Sequence, residues 1–348
     1  VSNFGDRFYP DYSQLQEVKK DIVRLEDCLR NGDIVFVRSN GNKELVGRCM
    51  LVKNPTERVT YSGFCIRARL NDTDRYDPVY FTYYFKSKAF RRAVSGKAVG
   101  ANIPNLSQAR LSNHECRIPS IEVQHRIADI LSAYDDLIEN NQKQIKLLEE
   151  VAQRLYKEWF VDLNFPGHEN TKIVDGVPEG WSRGLLKELI SVNYGKDHKK
   201  APDDGNIPVY GSGGLMRKCN KSLFSGEAVL IPRKGSLNNI MYVDETFWTV
   251  DTMFYATMKQ PHTAVFVYFF VKAFDMYSMN IGAAVPSMTT KILDAMDVVI
   301  PDKETLEKFD KLTKTYFNKI KTLQGQNERL KIARDLLLPK LMSGEVEV

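Results

Sequence analysis

Between Ile127 and Trp159 apolar side chains recur at alternating steps of four and three: Ile127, Leu131, Tyr134, Ile138, Ile145, Leu148, Ala152, Leu155 and Trp159, with polar Asn141 filling the one gap. Neither Pro nor Gly interrupts residues 121–163. A heptad stripe sustained this long predicts one helix that packs in a coiled coil, spanning roughly 60 Å at 1.5 Å per residue. Moved along the chain until Ile127 falls on Phe309, the same phase passes through Phe309, Thr313, Tyr316, Ile320, Leu323, Asn327, Leu330, Arg334, Leu337 and Leu341. This second stripe is less apolar, yet it predicts a second long helix, ended at Gly344.

Ahead of the two stripes stand "GANIPNLSQARLSNHECRIP" (Gly100 to Pro119) and "GAAVPSMTTKILDAMDVVIP" (Gly282 to Pro301), separated by the same interval as the stripes themselves. The repeat therefore covers a linker and the helix behind it, and the chain reads as module, helix, module, helix. The expected divisions are 1–119, 120–164, 165–301 and 302–348. The glycines, prolines and short apolar stops of each linker fit a hinge between module and helix better than a binding site. Direct contacts from Asn105, Ser107 and Gln108 stay open.

Each module carries a Gly-acid turn, a short β-prone run, a basic residue and a Gly-containing turn: "GDIVFVRSNGN" from Gly32 and "GEAVLIPRKGS" from Gly226. Aromatic runs follow, "VYFTYYFKSKAF" from Val79 and "VFVYFFVKAF" from Val265, and are read as core packing against the strands. The expected fold class is α+β, with two strand-rich modules separated by two long helices paired as an antiparallel coiled coil. Nothing at the N-terminus, which begins with Val, matches "GWSRGLLKEL" of the second module, so the first module is expected to lack its opening element.

Charge supports pairing the helices with each other. Residues 121–162 carry a net −4 and residues 302–342 a net +4, which favours an intramolecular pair over self-association. An antiparallel pair follows because the intervening module carries the chain back. Asn141 and Asn327 then fit single polar seam positions that set register; the alternative is polar residues tolerated at a partly exposed seam.

The length of 348 residues suits two cores of roughly 150 residues each. The composition, 43% hydrophobic and 27% charged, is that of a globular protein. No basic leader precedes an apolar stretch, and the longest apolar run stops at Lys272, so neither secretion nor membrane insertion is expected. Five scattered cysteines without a C-x-x-C pair indicate neither a disulfide frame nor a zinc ribbon, and a reducing cytoplasm is the simplest home. The overall +5 is unevenly placed: residues 181–240 carry +5 and residues 81–118 carry +6, leaving −6 for the rest. Basic charge concentrated inside each module is the footprint expected for a polyanion such as nucleic acid.

Catalytic signatures are missing. "SGKAVG" and "YGKDHK" lack the spacing that wraps backbone amides round a phosphate, and "YGSGG" from Tyr210 reads as a turn. The five histidines are isolated from one another and from acidic clusters. Asp302 and Glu304 open the second long helix, where capping and the helix dipole account for them. "NPTE" at Asn54 begins like the Asn-Pro-Pro-aromatic motif of adenine methyltransferases and then departs from it.

The linker pattern G-x-x-x-P-x-[LM]-[ST] ending in Ile-Pro, followed by "EVQHRIADILSAYDDLIENNQKQIKLLEEVAQRLYKEWF" and repeated once, closely resembles the specificity subunits of type I restriction-modification systems. The resemblance covers nearly the whole chain. It implies a non-catalytic subunit with two target recognition domains, each reading one half of a split double-stranded DNA sequence, and a coiled coil that fixes their spacing. Two methyltransferase subunits would dock on it and supply S-adenosylmethionine-dependent adenine methylation. Restriction subunits, in systems that have them, would add ATP-dependent cleavage. No cofactor is expected on this chain itself, and the short first module puts full reading of its half-site in doubt.

The matched basic turns supply the first candidates for DNA contact: Arg38, Asn40, Asn42 and Lys43 in the first module, and Arg233, Lys234, Ser236 and Asn238 in the second. Lys199, Lys200, Tyr210, Ser212 and Arg217, with Lys196, His198 and Lys218, form a second group that competes with ordinary solvated surface. Two other readings stay open: an orphan DNA-binding module without an enzyme partner, and a coiled-coil scaffold whose modules dock proteins.

Overall fold

The computed structural model describes residues 4, 7–55, 57–94, 105–279 and 287–348, with the backbone alone at Lys20 and Lys43. The opening residues of both linkers, Gly100 to Pro104 and Gly282 to Pro286, lie outside the described residues. The chain divides into two compact units: unit 1, Val1–Lys143 with Leu323–Val348, and unit 2, Gln144–Thr322.

Unit 1 opens with short 3-10 turns and then forms strands β1 (Ile34–Val37), β2 (Cys49–Leu51) and β3 (Cys65–Ala68). These pair antiparallel in the order β2-β1-β3. The aromatic run becomes helix α1 (Pro78–Lys86), started by Pro at its first position and by the Asp77 carboxylate accepting from the Tyr80 N–H at 2.6 Å. Helices α2 (Lys88–Val94), α3 (Gln108–Ser112) and the 40-residue α4 (Ile121–Phe160) follow.

Unit 2 takes up the chain within α4. An Asp175-Gly176 turn joins β4 (Ile173–Val174) to β5 (Val177–Pro178), both turn residues having positive φ as this hairpin type requires. Next come β6 (Ser182–Leu185), β7 (Ile190–Tyr194), β8 (Ile207–Gly211), β9 (Gly214–Cys219), β10 (Phe224–Pro232), β11 (Met241–Thr249) and β12 (Met253–Met258). Helices α5 (Ala264–Lys272) and α6 (Thr290–Asp294) precede β13 (Asp297–Ile300), and the 41-residue α7 (Lys303–Ser343) ends the chain. The main sheet runs β7-β12-β10-β11-β8-β9, antiparallel except for β11 beside β8.

The central three strands of that sheet repeat those of unit 1. Val37 lies opposite Cys65 as Pro232 lies opposite Met253, so β2-β1-β3 corresponds to β11-β10-β12. Among the described residues unit 1 has no counterpart of β7, β8 or β9. The aromatic runs do pack against the strands, as expected: Tyr80, Phe81 and Tyr83 join Ile34, Phe36 and Leu51 in one core, and Val265, Phe266 and Phe269 join Val229, Ile231 and Phe254 in the other. Fully burying each such side chain contributes about 1.5–3 kcal/mol over leaving it exposed.

The expected seam faces inward in both units. In unit 1, Ile127 and Leu131 share a core with Leu338 and Leu341, while Asn141 donates to Asn327 at 2.9 Å. Partner numbers fall along α7 as they rise along α4, which makes the pair antiparallel. In unit 2, Ala152, Tyr156 and Trp159 close on Phe309, the Trp159 and Phe309 rings lying 5.8 Å apart. Ile138, Ile320 and Leu323 are buried; Tyr134, Ile145, Leu148, Leu155, Tyr316, Leu330 and Leu337 are half-buried. Buried Ala128, Tyr156 and Leu338 fall beside the heptad stripe, because module side chains pack on the flank of each helix and widen its apolar face. At its end α7 stops on Gly344, with φ +76° and the Glu345 N–H bonded to the Lys340 carbonyl at 3.0 Å.

Candidate nucleic-acid interface

The matched basic turns occupy equivalent places, held by the same three backbone bonds. In unit 1 the N–H groups of Arg38 and Ser39 both donate to the Phe64 carbonyl, at 2.8 and 3.4 Å, and the Arg38 carbonyl accepts from Leu106 at 2.8 Å. In unit 2 the N–H groups of Arg233 and Lys234 both donate to Thr252, at 2.8 and 3.2 Å, and the Arg233 carbonyl accepts from Met288 at 2.9 Å. Each arginine thus leaves the end of the central strand with its backbone fixed from two sides.

Leu106 and Met288 are matching positions of the duplicated linkers, and both are buried to 1% exposure. Ser107 and Thr289 follow them and cap α3 and α6, accepting from the N–H groups of Arg110 and Ile292. The described part of each linker is therefore sewn into its module by a buried side chain, a backbone bond and a capped turn. The hinge expectation is corrected to that extent.

In unit 2 the side chains of the candidate group divide into committed and available ones. Arg217 is clamped: its guanidinium donates to the Asp203 carboxylate, to the carbonyls of His198, Ala201 and Lys218 and to the His198 ring, fixing the 198–203 loop. Asn238 is a clasp, donating to Asp275 at 2.9 Å and accepting from the Met276 N–H at 2.8 Å. Its bond holds the Asp275 carboxyl below the ordinary range. Tyr210 donates to Glu245 at 2.5 Å; burial first, and that carboxylate second, push its phenol up. The Ser212 carbonyl accepts from Asn239 at 2.8 Å, tying the β8-β9 turn to the 233–239 loop. Lys196, Lys199, Lys200, Lys218, Lys234 and Ser236 are exposed, and His198 is half-buried.

Arg233 differs from all of these. It is half-buried, its guanidinium lies 5.6 Å from the centroid of the Tyr194 ring, and it donates to the Asp251 carbonyl at 3.4 Å. Tyr194 escaped the sequence reading: its alternation with Ile190 and Val192 assigns it to the covered face of β7, but at the end of an edge strand it is 55% exposed.

In unit 1, Arg38 is exposed. Asn40 and Asn42 brace their own turn, each side-chain oxygen accepting from the N–H two residues on, at 2.8 and 3.0 Å. Lys43 opens a 3-10 turn, Lys43–Leu45. Phe64, whose carbonyl fixes Arg38, is 61% exposed, so each unit presents an arginine and an exposed aromatic ring at the same end of its shared strands. The acid of the first Gly-acid turn is structural: Asp33 is fully buried, takes two bonds from Arg69 at 2.6 and 2.7 Å and one from the Arg30 N–H at 2.7 Å. Among the described residues no cluster of His, Cys, Asp and Glu has the arrangement of a metal site, and no helix is long and apolar enough to cross a membrane.

Known proteins resemble the chain over most of its length. A type I restriction enzyme specificity subunit of Methanocaldococcus jannaschii, MjaIX, is 27% identical over 344 residues, covering 87% of this chain and 76% of that protein. The HindI specificity subunit of Haemophilus influenzae is 22% identical over 441 residues, covering 99% of this chain and 90% of that one. The crystal structure of the type I restriction-modification S subunit from M. genitalium has a similar fold, with a TM-score of 0.58 at 20% identity over 89% of this chain and 83% of that one. The type I restriction modification DNA specificity domain matches residues 8–150 and again 178–331. Matched twice and over most of its length, the chain belongs to the family of type I restriction-modification DNA specificity proteins.

Proposed function

We propose that this chain, the DNA specificity subunit of a type I restriction-modification system, reads one half of a bipartite duplex target with each unit. The observation that carries the reading is the duplicated strand end: two arginines held by equivalent backbone bonds, one per module, in modules that each also contain a stretch of concentrated basic charge, residues 81–118 and 181–240. Joining two modest contacts on one chain makes the second contact intramolecular and the combined binding tighter, provided the spacing matches the duplex.

On this reading Lys196, Lys199, Lys200 and Lys234 neutralise phosphates and give affinity without sequence information, while side chains on the strand-end turns read base edges. The antiparallel helices fix the interval between half-sites and offer the docking surface for two methyltransferase subunits. Adenine methylation, with its S-adenosylmethionine, and any ATP-dependent cleavage belong to partner subunits; this chain performs no chemistry. The decisive experiment is an adenine methylome of cells expressing the chain with its methyltransferase. A split motif that disappears when the gene is deleted is expected. Unchanged methylation after deletion, together with no complex between the purified chain and the methyltransferase, would refute the reading. Salt-dependent DNA binding without any methylation phenotype would favour an orphan DNA-binding protein instead.

A further inference from the structure

We infer that Arg233 reads a guanine edge within the half-site of unit 2, and that Tyr194 is the residue that positions it. The inference rests on unit 2 being a DNA-recognition module and names the group that gives it base specificity.

Four observations converge on this pair. The backbone of Arg233 is fixed through its N–H, bonded to Thr252, and its carbonyl, bonded to Met288. Its side chain is then fixed by the face of Tyr194 and by the carbonyl of Asp251. Among the described residues its remaining N–H groups meet no protein acceptor. Finally, the Tyr194 ring is anchored from the other direction: it stands edge-on to Phe254, at 5.0 Å and 77°, and Phe254 is buried to 1% exposure. An exposed ring rooted in the core this way costs apolar exposure that, among the described residues, only the Arg233 side chain over its face offsets, and it gives the arginine a rigid platform.

The chemistry follows from the shape of the group. A guanidinium donates two parallel N–H bonds in a planar fork, and guanine offers two acceptors, O6 and N7, on one major-groove edge; adenine offers N7 beside a donor there. A fork already oriented by a ring and a carbonyl loses less side-chain freedom on binding, so more of its interaction becomes discrimination. Arg217 shows the contrasting case, since its donors are committed to the 198–203 loop. The +5 of residues 181–240 supplies the attraction that brings DNA to this end of the sheet.

The experiment uses the full chain with its methyltransferase subunit. Binding is measured to a duplex carrying the target mapped by methylome sequencing, to its single-base variants, and to a random-sequence duplex. Arg233→Lys keeps the charge and removes the fork; Tyr194→Leu removes the platform; Tyr194→Phe keeps it. The first two are expected to lower discrimination at one guanine of one half-site by roughly 5- to 150-fold. Random-duplex binding should stay within about twofold, and Tyr194→Phe should resemble the parent. If Arg233→Lys retains discrimination at every position, or relaxes a base other than guanine, the inference is overturned. It is equally overturned if Arg233→Lys weakens target and random duplex alike, which is the signature of a phosphate contact. Should Tyr194→Leu fail to fold, Arg233→Lys and Tyr194→Phe still decide the matter. A parent chain that binds target and random duplex equally would instead remove the recognition reading on which the inference stands.

Discussion

Unit 1 contains a buried charge triad that the repeat does not carry into unit 2, and removing its arginine should be strongly destabilising. Arg334, at a seam position of α7, pairs with the Asp135 carboxylate of α4, and Asp135 accepts from the Tyr83 hydroxyl of α1 at 2.5 Å. Asp135 is 7% and Arg334 9% exposed. Burial opposes the Arg334 charge, but Asp135 and Asp335 more than offset it, so the guanidinium holds its proton more firmly than usual. Burial and Asp135 likewise push the Tyr83 phenol well up. The offset of the repeat turns Arg334 into Ala152 and Asp135 into Phe317, and the sixth position of α5 replaces Tyr83 with Phe269. Those three belong to one apolar cluster, with the Phe269 and Phe317 rings 6.3 Å apart. The same place in the fold is thus solved once with charge and once with hydrocarbon.

Arg334→Leu strands a buried carboxylate, and breaking such a pair costs about 3–5 kcal/mol. For a unit of this size that lowers the melting temperature on the order of 10 °C. Replacing all three side chains with apolar ones, Tyr83→Phe with Asp135→Leu and Arg334→Leu, should recover most of the loss, since well-packed hydrocarbon is often as stable as the pair it replaces. Urea unfolding followed by far-UV circular dichroism measures both variants. All three tryptophans, Trp159, Trp181 and Trp248, lie in unit 2, so their fluorescence reports that unit separately. A loss below about 1 kcal/mol for Arg334→Leu, or a triple variant no more stable than the single one, would refute the assignment of the triad as a desolvated pair.

Three further outcomes test the packing elsewhere. Asn141→Leu leaves the buried Asn327 amide without its partner and should cost about 1–3 kcal/mol in urea unfolding, whereas adding Asn327→Leu should restore most of it; equal losses for single and double variants would exclude the pair as the cause. Burial pushes the Cys49 thiol up to about 11, so at pH 8 a thiol reagent should label half-buried Cys28 and Cys116 well before Cys49, which reacts only on unfolding. At the start of α7, burial alone would raise the Asp302 carboxyl, but bonds from Thr305 and Trp181 hold it below its usual range. That contribution is present above the ordinary carboxylate range and is lost as pH falls through the lowered value. Asp302→Asn should therefore destabilise the chain more at pH 7 than at pH 3, and a deficit independent of pH would contradict it.

The sequence by itself determined the two long helices, their antiparallel pairing and the duplication behind them. Those signals are local: a heptad stripe is a periodicity of neighbouring residues, and a repeat is a fixed offset. The strand ends were legible for the same reason, because "GDIVFV" and "GEAVLIP" carry short apolar runs between turn residues. Only the tertiary structure decided which polar groups were already committed. Arg217 and Asn238 stood among the candidates for DNA contact until the fold supplied Asp203 and Asp275 as their partners, 14 and 37 positions away. Arg334 only made the second stripe less apolar in sequence, yet it meets Asp135 across 199 residues. Tyr194 acquired its place under Arg233 only when β7 joined the edge of the sheet through β12. Periodicity fixes which face a side chain presents, whereas a hydrogen bond or a ring stack depends on where distant strands and helices bring their ends together.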